Sequence, residues 1–83
     1  MNKLTETIET YINGNISTAK KEMLNNHFNG FEVIECVEMF GITQTIKVLK
    51  YSGVSDLRII NLFYDYDRHN LGEAKGILLN NFY

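Results

Sequence analysis

The stretch from Phe31 to Gly53 constrains the fold of this chain more than any other segment. Its first half repeats apolar residues at i, i+3, i+4 and i+7, which places them on one stripe of an α-helix. These residues are Val33, Cys36, Val37 and Phe40. Glutamates recur at every third position, namely Glu32, Glu35 and Glu38. A helix would carry this acidic row on the side opposite the apolar stripe.

Gly41 ends this first helix, and a second apolar stripe begins directly after it. Ile42, Ile46 and Leu49 follow the i, i+4, i+7 pattern. The β-branched residues of this segment would also suit a strand, but its polar residues group on one side, which favours a helix from about residue 43 to residue 51. Two amphipathic helices joined at a glycine form a hairpin or corner, and neither can bury its stripe alone.

The flanking segments carry the same helical periodicity and would cover this pair. Helices are predicted over residues 1–12, 16–28, 56–66 and 71–83, with an Asn-Gly-Asn turn after the first. The apolar stripes of the first two include Ile12 and Ile16. Four residues stand where N-caps are expected, and they are Ser17, Asn29, Ser55 and Asn70. His27 falls on or beside an apolar stripe, which is typical of a hydrogen-bonded structural histidine. Gly72 and Gly76 weaken the last helix, which therefore needs docking or uses them for close packing.

These patterns predict an all-α fold, a compact bundle of five or six short helices with a central helical hairpin or helix-turn-helix-like corner. The 83 residues, of which 45% are hydrophobic, suffice for one core, so residues 1–83 are predicted to form a single helical domain. A lone cysteine, Cys36, excludes an intramolecular disulfide framework. No apolar run has the length of a membrane span, so we expect no membrane partner and a soluble cytoplasmic protein.

Two surfaces of the predicted bundle are candidates for binding a partner protein. The acidic row could meet a basic surface, although the pattern favours a solvated helix face. The second candidate is a run of aromatic and acidic residues near the end of the fifth helix, namely Tyr64, Asp65, Tyr66 and Asp67. Tyrosines bury a large area at low entropy cost, which favours them at interfaces, and core packing is their alternative role.

The fifth helix also has an unusually wide apolar face, because Leu57, Ile60 and Tyr64 form one stripe beside Ile59 and Phe63. Such breadth suits a helix that is contacted from two sides or that meets a second chain. We therefore expect a homodimer or a hetero-complex through the broad faces of the fifth and sixth helices.

A DNA-binding role is the alternative hypothesis. The segment from Val33 to Ser52 resembles the helix-turn-helix family in having an apolar first helix, a glycine at the turn and a polar second helix. The polar face carries Thr43, Gln44, Lys47 and Lys50, which could contact base edges. Ile46 and Val48 depart from the family pattern, and three glutamates lie on the helix that would cross the phosphates. The net charge of −2 also argues against nucleic acid.

The sequence offers no chemistry that would indicate an enzyme. It has no glycine-rich phosphate loop or nucleophile elbow, and only two histidines. Neither histidine stands at the spacing from the glutamates that helical metal sites use. We therefore expect no catalytic residue, no metal and no cofactor.

The segment ETYINGNISTAKKEML resembles the opening of small uncharacterised phage-encoded proteins. The matching positions are Tyr11, Ile12, Gly14, Asn15, Ser17, Ala19 and Lys20. The resemblance covers less than a quarter of the chain and assigns no active residue. It implies a phage or mobile-element accessory protein that acts by binding one host component. The sequence thus predicts a small interaction module that occludes a host protein surface.

Overall fold

The computed structural model describes residues 3–25 and 29–82, and these form an all-α bundle without a β-strand. Six helices follow one another along the chain: α1 (Lys3–Ile12), α2 (Ile16–Asn25), α3 (Gly30–Phe40), α4 (Ile42–Tyr51), α5 (Asp56–Tyr66) and α6 (Leu71–Phe82). A short 3-10 turn, Arg68–Asn70, precedes α6. The predicted fold class is confirmed, including a helix in the segment that could also have been a strand. His27 lies outside the described residues.

Side-chain capping explains where two of the helices begin. Asn29 accepts a hydrogen bond from the backbone N–H of Glu32 at 3.0 Å, and Ser55 accepts one from Arg58 at 3.2 Å. Both bonds satisfy donors of the first helical turn, as predicted. The other two predicted caps are wrong. Ser17 lies inside the first turn of α2, and the side chain of Asn70 donates to Asp67 at 2.8 Å.

Glycines in the left-handed conformation close three of the connections. Gly14 has φ +96° and Gly53 has φ +91°, which only glycine adopts without strain. After α1, the N–H of Asn15 bonds to the carbonyl of Thr10, and after α4 the N–H of Val54 bonds to that of Leu49. This is the Schellman arrangement of helix ends. Gly41, with φ +88°, is the single residue between α3 and α4.

The core is built from the predicted stripes. α3 packs against α1, α4 and α5, and α6 packs against α4 and α5. The central cluster of buried side chains comes from these five helices and includes Ile8, Cys36, Ile46, Leu49, Ile59 and Phe63. The enclosed Ala19 adds a contribution from α2. The apolar stripe of α3 therefore faces inward and leaves its acidic side outward.

In α1 and α2, two predicted stripe residues are exposed instead of buried. Ile12 is 48% and Ile16 is 54% exposed, because both stand at the α1–α2 turn, beyond the helices that cover the core. Conversely, Thr7 and Thr45 are buried, and each hydroxyl donates to the backbone carbonyl four residues earlier at 2.9 Å. These bonds remove the cost of an unsatisfied buried hydroxyl. Within the described residues, no helix has the length and hydropathy needed to cross a bilayer.

Candidate functional site

One surface of the bundle combines exposed aromatic and acidic side chains along α3. Phe31 is 71% exposed and Met39 is 49% exposed, and the side chains of Glu35 and Glu38 are exposed as well. Positions i, i+4, i+7 and i+8 lie on one side of a helix, so these four residues share the outer side of α3. Tyr66 of α5 joins them at the helix start. We call this surface the acidic–aromatic face, and it consists of Phe31, Glu35, Glu38, Met39 and Tyr66.

Tight packing at the start of α3 fixes the aromatic part of this face. The rings of Phe31 and Tyr66 meet edge to face, with centroids 5.0 Å apart and planes at 69°. Gly30 makes this possible, because a Cβ at that position would lie 1.9 Å from Cδ2 of Tyr66. The ring of Tyr66 therefore lies directly on the backbone of α3. The two rings are thus in contact without any partner.

Glu32 borders the acidic–aromatic face on its inner side. Its backbone N–H is bonded to Asn29, while its Oε2 atom is shielded from solvent and has no hydrogen-bond partner among the described residues. A shielded acceptor without a donor is costly for a folded protein. The three glutamates of the predicted acidic row thus differ in exposure: Glu35 and Glu38 are solvated, and Glu32 is partly buried.

The aromatic and acidic residues predicted as a second contact group do not form one surface. Residues two apart on a helix point about 200° apart, so Tyr64 and Tyr66 diverge around α5. The guanidinium carbon of Arg68 lies 4.1 Å from the ring centroid of Tyr64, and Asp67 accepts the Asn70 hydrogen bond. Asp65 is exposed beside them. Only Tyr66 is brought to the acidic row, and a binding role for any of these residues stays a prediction.

The face proposed for DNA is less basic than its sequence indicates. Thr43 and Lys47 are exposed on α4, and Gln44 is half-buried. Lys50, however, forms a partly buried ion pair with Asp56 at the start of α5. This pair ties α4 to α5 and neutralises one of the two lysines that would meet phosphate.

A third surface lies where α5 and α6 pack side by side. A groove of about 250 Å³ runs between the helices and is lined by Asp56, Ile60, Lys75, Leu78 and Leu79. Leu79 on its rim and Leu57 on the adjoining side of α5 are each 68% exposed. This is the wide apolar side of α5 that the sequence indicated, whereas Ile59 and Phe63 turn into the core.

The remaining candidates for a catalytic or metal-binding site are weak. A polar cleft of about 300 Å³ near the chain start is lined by Lys3, Glu6, Thr7, Thr10 and Glu22, but both threonine hydroxyls donate to helix carbonyls. The described residues contain no cluster of three side chains that could hold a metal ion. Burial, with smaller contributions from the charges of Glu35 and Glu32, raises the pKa of the Cys36 thiol to about 12. That thiol is enclosed and protonated at neutral pH.

Comparisons of the sequence and the fold with known proteins give no match to a family model, a curated protein or a solved structure. The candidate site therefore depends on geometry alone. Sequence reasoning missed two residues of the acidic–aromatic face, Phe31 and Met39. Both follow from helical spacing, since they lie at i−4 and i+4 from Glu35.

Proposed function

We propose that this chain is a small protein-interaction module that binds a basic partner protein through the acidic–aromatic face. The observation that carries the proposal is the pair of Phe31 and Tyr66. Phe31 is 71% exposed and is held edge to face against Tyr66, with ring centroids 5.0 Å apart. A large apolar side chain left in water but already ordered is the usual form of a binding anchor.

Order before binding matters because association must offset the entropy of every side chain that it immobilises. The contact with Tyr66 limits the rotation of Phe31, and the ring of Tyr66 is itself held on Gly30. A partner that covers Phe31 would gain its apolar area at little additional ordering cost. Met39, 49% exposed two turns further along α3, can adapt its flexible thioether to the shape of that partner.

The charges beside these anchors indicate what kind of partner fits. Glu35 and Glu38 are exposed on the same side of α3, and Glu32 offers a shielded oxygen without a donor among the described residues. Arginine or lysine side chains would complement the exposed carboxylates of Glu35 and Glu38. The favoured partner surface is therefore apolar at its centre and basic at its rim.

The resemblance of residues 9–24 to phage-encoded proteins supports a role as an accessory protein of a phage or mobile element. In this role the module acts in the cytoplasm and occludes a surface of one host protein. Occlusion needs no catalytic group and no cofactor, since the bound module itself blocks access. A face whose two aromatic rings already pack together suits this role, because little rearrangement would be needed on binding.

Site-directed photo-crosslinking in an extract of the organism that encodes the chain tests the proposal. A photoreactive residue at position 31 or 39 is expected to capture a specific protein, while the same residue at the exposed position 17 on α2 is not. The captured protein is then purified, and its affinity for variants of the chain is measured. Phe31→Ala is expected to weaken binding by at least about tenfold.

A charge-matched pair of variants separates specific contacts from net charge. Glu35→Lys with Glu38→Lys should abolish binding, whereas Glu9→Lys with Glu73→Lys changes the net charge equally at exposed sites on α1 and α6 and should leave binding intact. Equal losses in both variants would contradict the proposal. So would binding to duplex DNA that weakens steeply with salt and is lost in Lys47→Glu, because that result supports the alternative function.

A further inference from the structure

The outer side of α6 carries two glycines that packing among the described residues does not explain. A Cβ added at Gly72 or Gly76 would meet no atom of those residues within 4 Å. Glycine inside a helix is nevertheless less favourable than alanine. Both residues lie one turn from Leu79 or Lys75 on the side of α6 that faces away from the core.

A continuous apolar surface adjoins these glycines. It comprises the groove between α5 and α6, with Ile60 on its floor and the 68% exposed side chains of Leu57 and Leu79 at its edges. We call this surface the α5–α6 face, and it consists of Leu57, Ile60, Gly72, Lys75, Gly76 and Leu79. A bare helix backbone beside a projecting leucine allows a second helix to approach closely and receive that leucine.

We propose that the α5–α6 face binds a second copy of this chain, so that two α6 helices cross at Gly76. In a two-fold arrangement each surface meets itself, so it must present both a projection and a recess. The α5–α6 face has both, because Leu79 projects beside the groove between α5 and α6. Each copy inserts Leu79 into the groove of the other.

The charged residues that line the groove between α5 and α6 also complement a second copy. Asp56 lies on the α5 wall of the groove and Lys75 on the α6 wall. A two-fold axis across the groove brings the lysine of one copy toward the aspartate of the other. Asp56 can keep its bond to Lys50 and accept a second ammonium, since a carboxylate accepts several hydrogen bonds. The acidic–aromatic face could not pair in this way, because its ionisable side chains, Glu35 and Glu38 above all, carry one sign.

Sedimentation equilibrium across micromolar concentrations tests the proposal on the intact chain. The wild type is expected to show a concentration-dependent monomer–dimer equilibrium. Leu79→Glu should weaken the dimer by more than about 100-fold, because it places a carboxylate in the apolar groove of the other copy. Ile16→Glu is the matched control, since it adds the same charge at an exposed apolar residue of α2 that belongs to neither face, and it should leave the dimer unchanged.

Gly76→Ala is the second variant. Unlike Leu79→Glu, it adds no charge that could disturb the fold of the chain itself. Its methyl group enters open space within one copy, so the helix should become more stable. At the crossing point the same methyl group separates the two α6 helices, and the dimer should weaken by about tenfold or more. A wild type that stays monomeric, or a dimer that both variants leave intact, would overturn the proposal. Neither result bears on the acidic–aromatic face, which remains accessible in such a dimer.

Discussion

The start of α3 and the outer side of α6 both contain glycine in a helix, but they differ in what occupies the adjacent space. At Gly30 the ring of Tyr66 fills the position of a Cβ, with Cδ2, Cγ and Cε2 at 1.9, 2.2 and 2.4 Å from it. At Gly72 and Gly76 no atom of the described part of the chain lies within 4 Å of that position. Packing within this part of the chain thus explains the first glycine and not the other two.

The comparison separates a helical glycine that a contact within one copy explains from one that only a contact with another molecule would explain. A glycine in a helix lowers helix stability, and one reason to keep it is a close contact that a side chain would prevent. At Gly30 that contact is the ring of Tyr66, which also packs against Phe31. At Gly76 the described residues supply no such contact, whereas the proposed dimer would. Replacing glycine by alanine is therefore expected to lower the free energy of unfolding at position 30 and to raise it at position 76.

The largest expected effect is that of Gly30→Ala. Its methyl group would overlap three ring atoms of Tyr66, so the ring or the start of α3 must move. Overpacking of this kind should lower the free energy of unfolding by at least about 2 kcal/mol. Urea denaturation followed by circular dichroism measures the change.

The Tyr66→Ala background provides the control for this substitution. With the ring removed, alanine at position 30 should be tolerated as well as glycine or better. If Gly30→Ala lowered the free energy of unfolding equally in both backgrounds, Tyr66 would not be the reason for Gly30. The contrast between Gly30 and the glycines of α6 would then be lost.

The starts of α3 and α5 were predictable because they depend on neighbours along the chain. The bonds that Asn29 accepts from Glu32 and that Ser55 accepts from Arg58 follow from spacing alone, and the turn at Gly14 follows from its Asn-Gly-Asn sequence. The same reasoning was wrong at Ser17 and Asn70. The overlap of Gly30 with Tyr66 was not predictable, since it joins positions 36 residues apart and depends on how α3 and α5 pack. Sequence periodicity can state which side of a helix is apolar, but it cannot state whether a second helix covers that side. For that reason Ile12, Ile16 and Leu57 were placed on apolar stripes, and the exposure of each became clear only in the fold.

An intermediate effect is expected from Cys36, on the inner side of α3. Burial, and then the charges of Glu35 and Glu32, raise its pKa from the ordinary 9.0 to about 12 in the folded chain. Between these pH values the unfolded chain loses the thiol proton and the folded chain keeps it. The stabilisation is therefore complete below pH 9 and is lost as the pH rises toward 12.

Urea denaturation of the wild type and of Cys36→Ala, at about pH 8 and about pH 10, measures this loss. The wild type should lose about 1 kcal/mol more than the variant over this interval, because a shift of one pKa unit corresponds to about 1.4 kcal/mol. Other titrating groups, including Tyr11, whose pKa is raised by burial and by Tyr51, act equally in both proteins and cancel. An identical pH dependence in the two proteins would mean that α3 does not enclose Cys36.

The smallest expected effect is that of Gly76→Ala in a chain that cannot dimerise through α6. In the Leu79→Glu background the new methyl group meets no atom of its own copy, so only helix propensity changes. The free energy of unfolding should rise by about 0.5–1 kcal/mol, opposite in sign to the effect of Gly30→Ala. Gly72→Ala should act in the same direction with a smaller gain, because Gly72 lies in the first turn of α6. If Gly76→Ala instead lowered the free energy of unfolding, some part of the same copy would occupy that space, and the reason for assigning the outer side of α6 to a second chain would be lost.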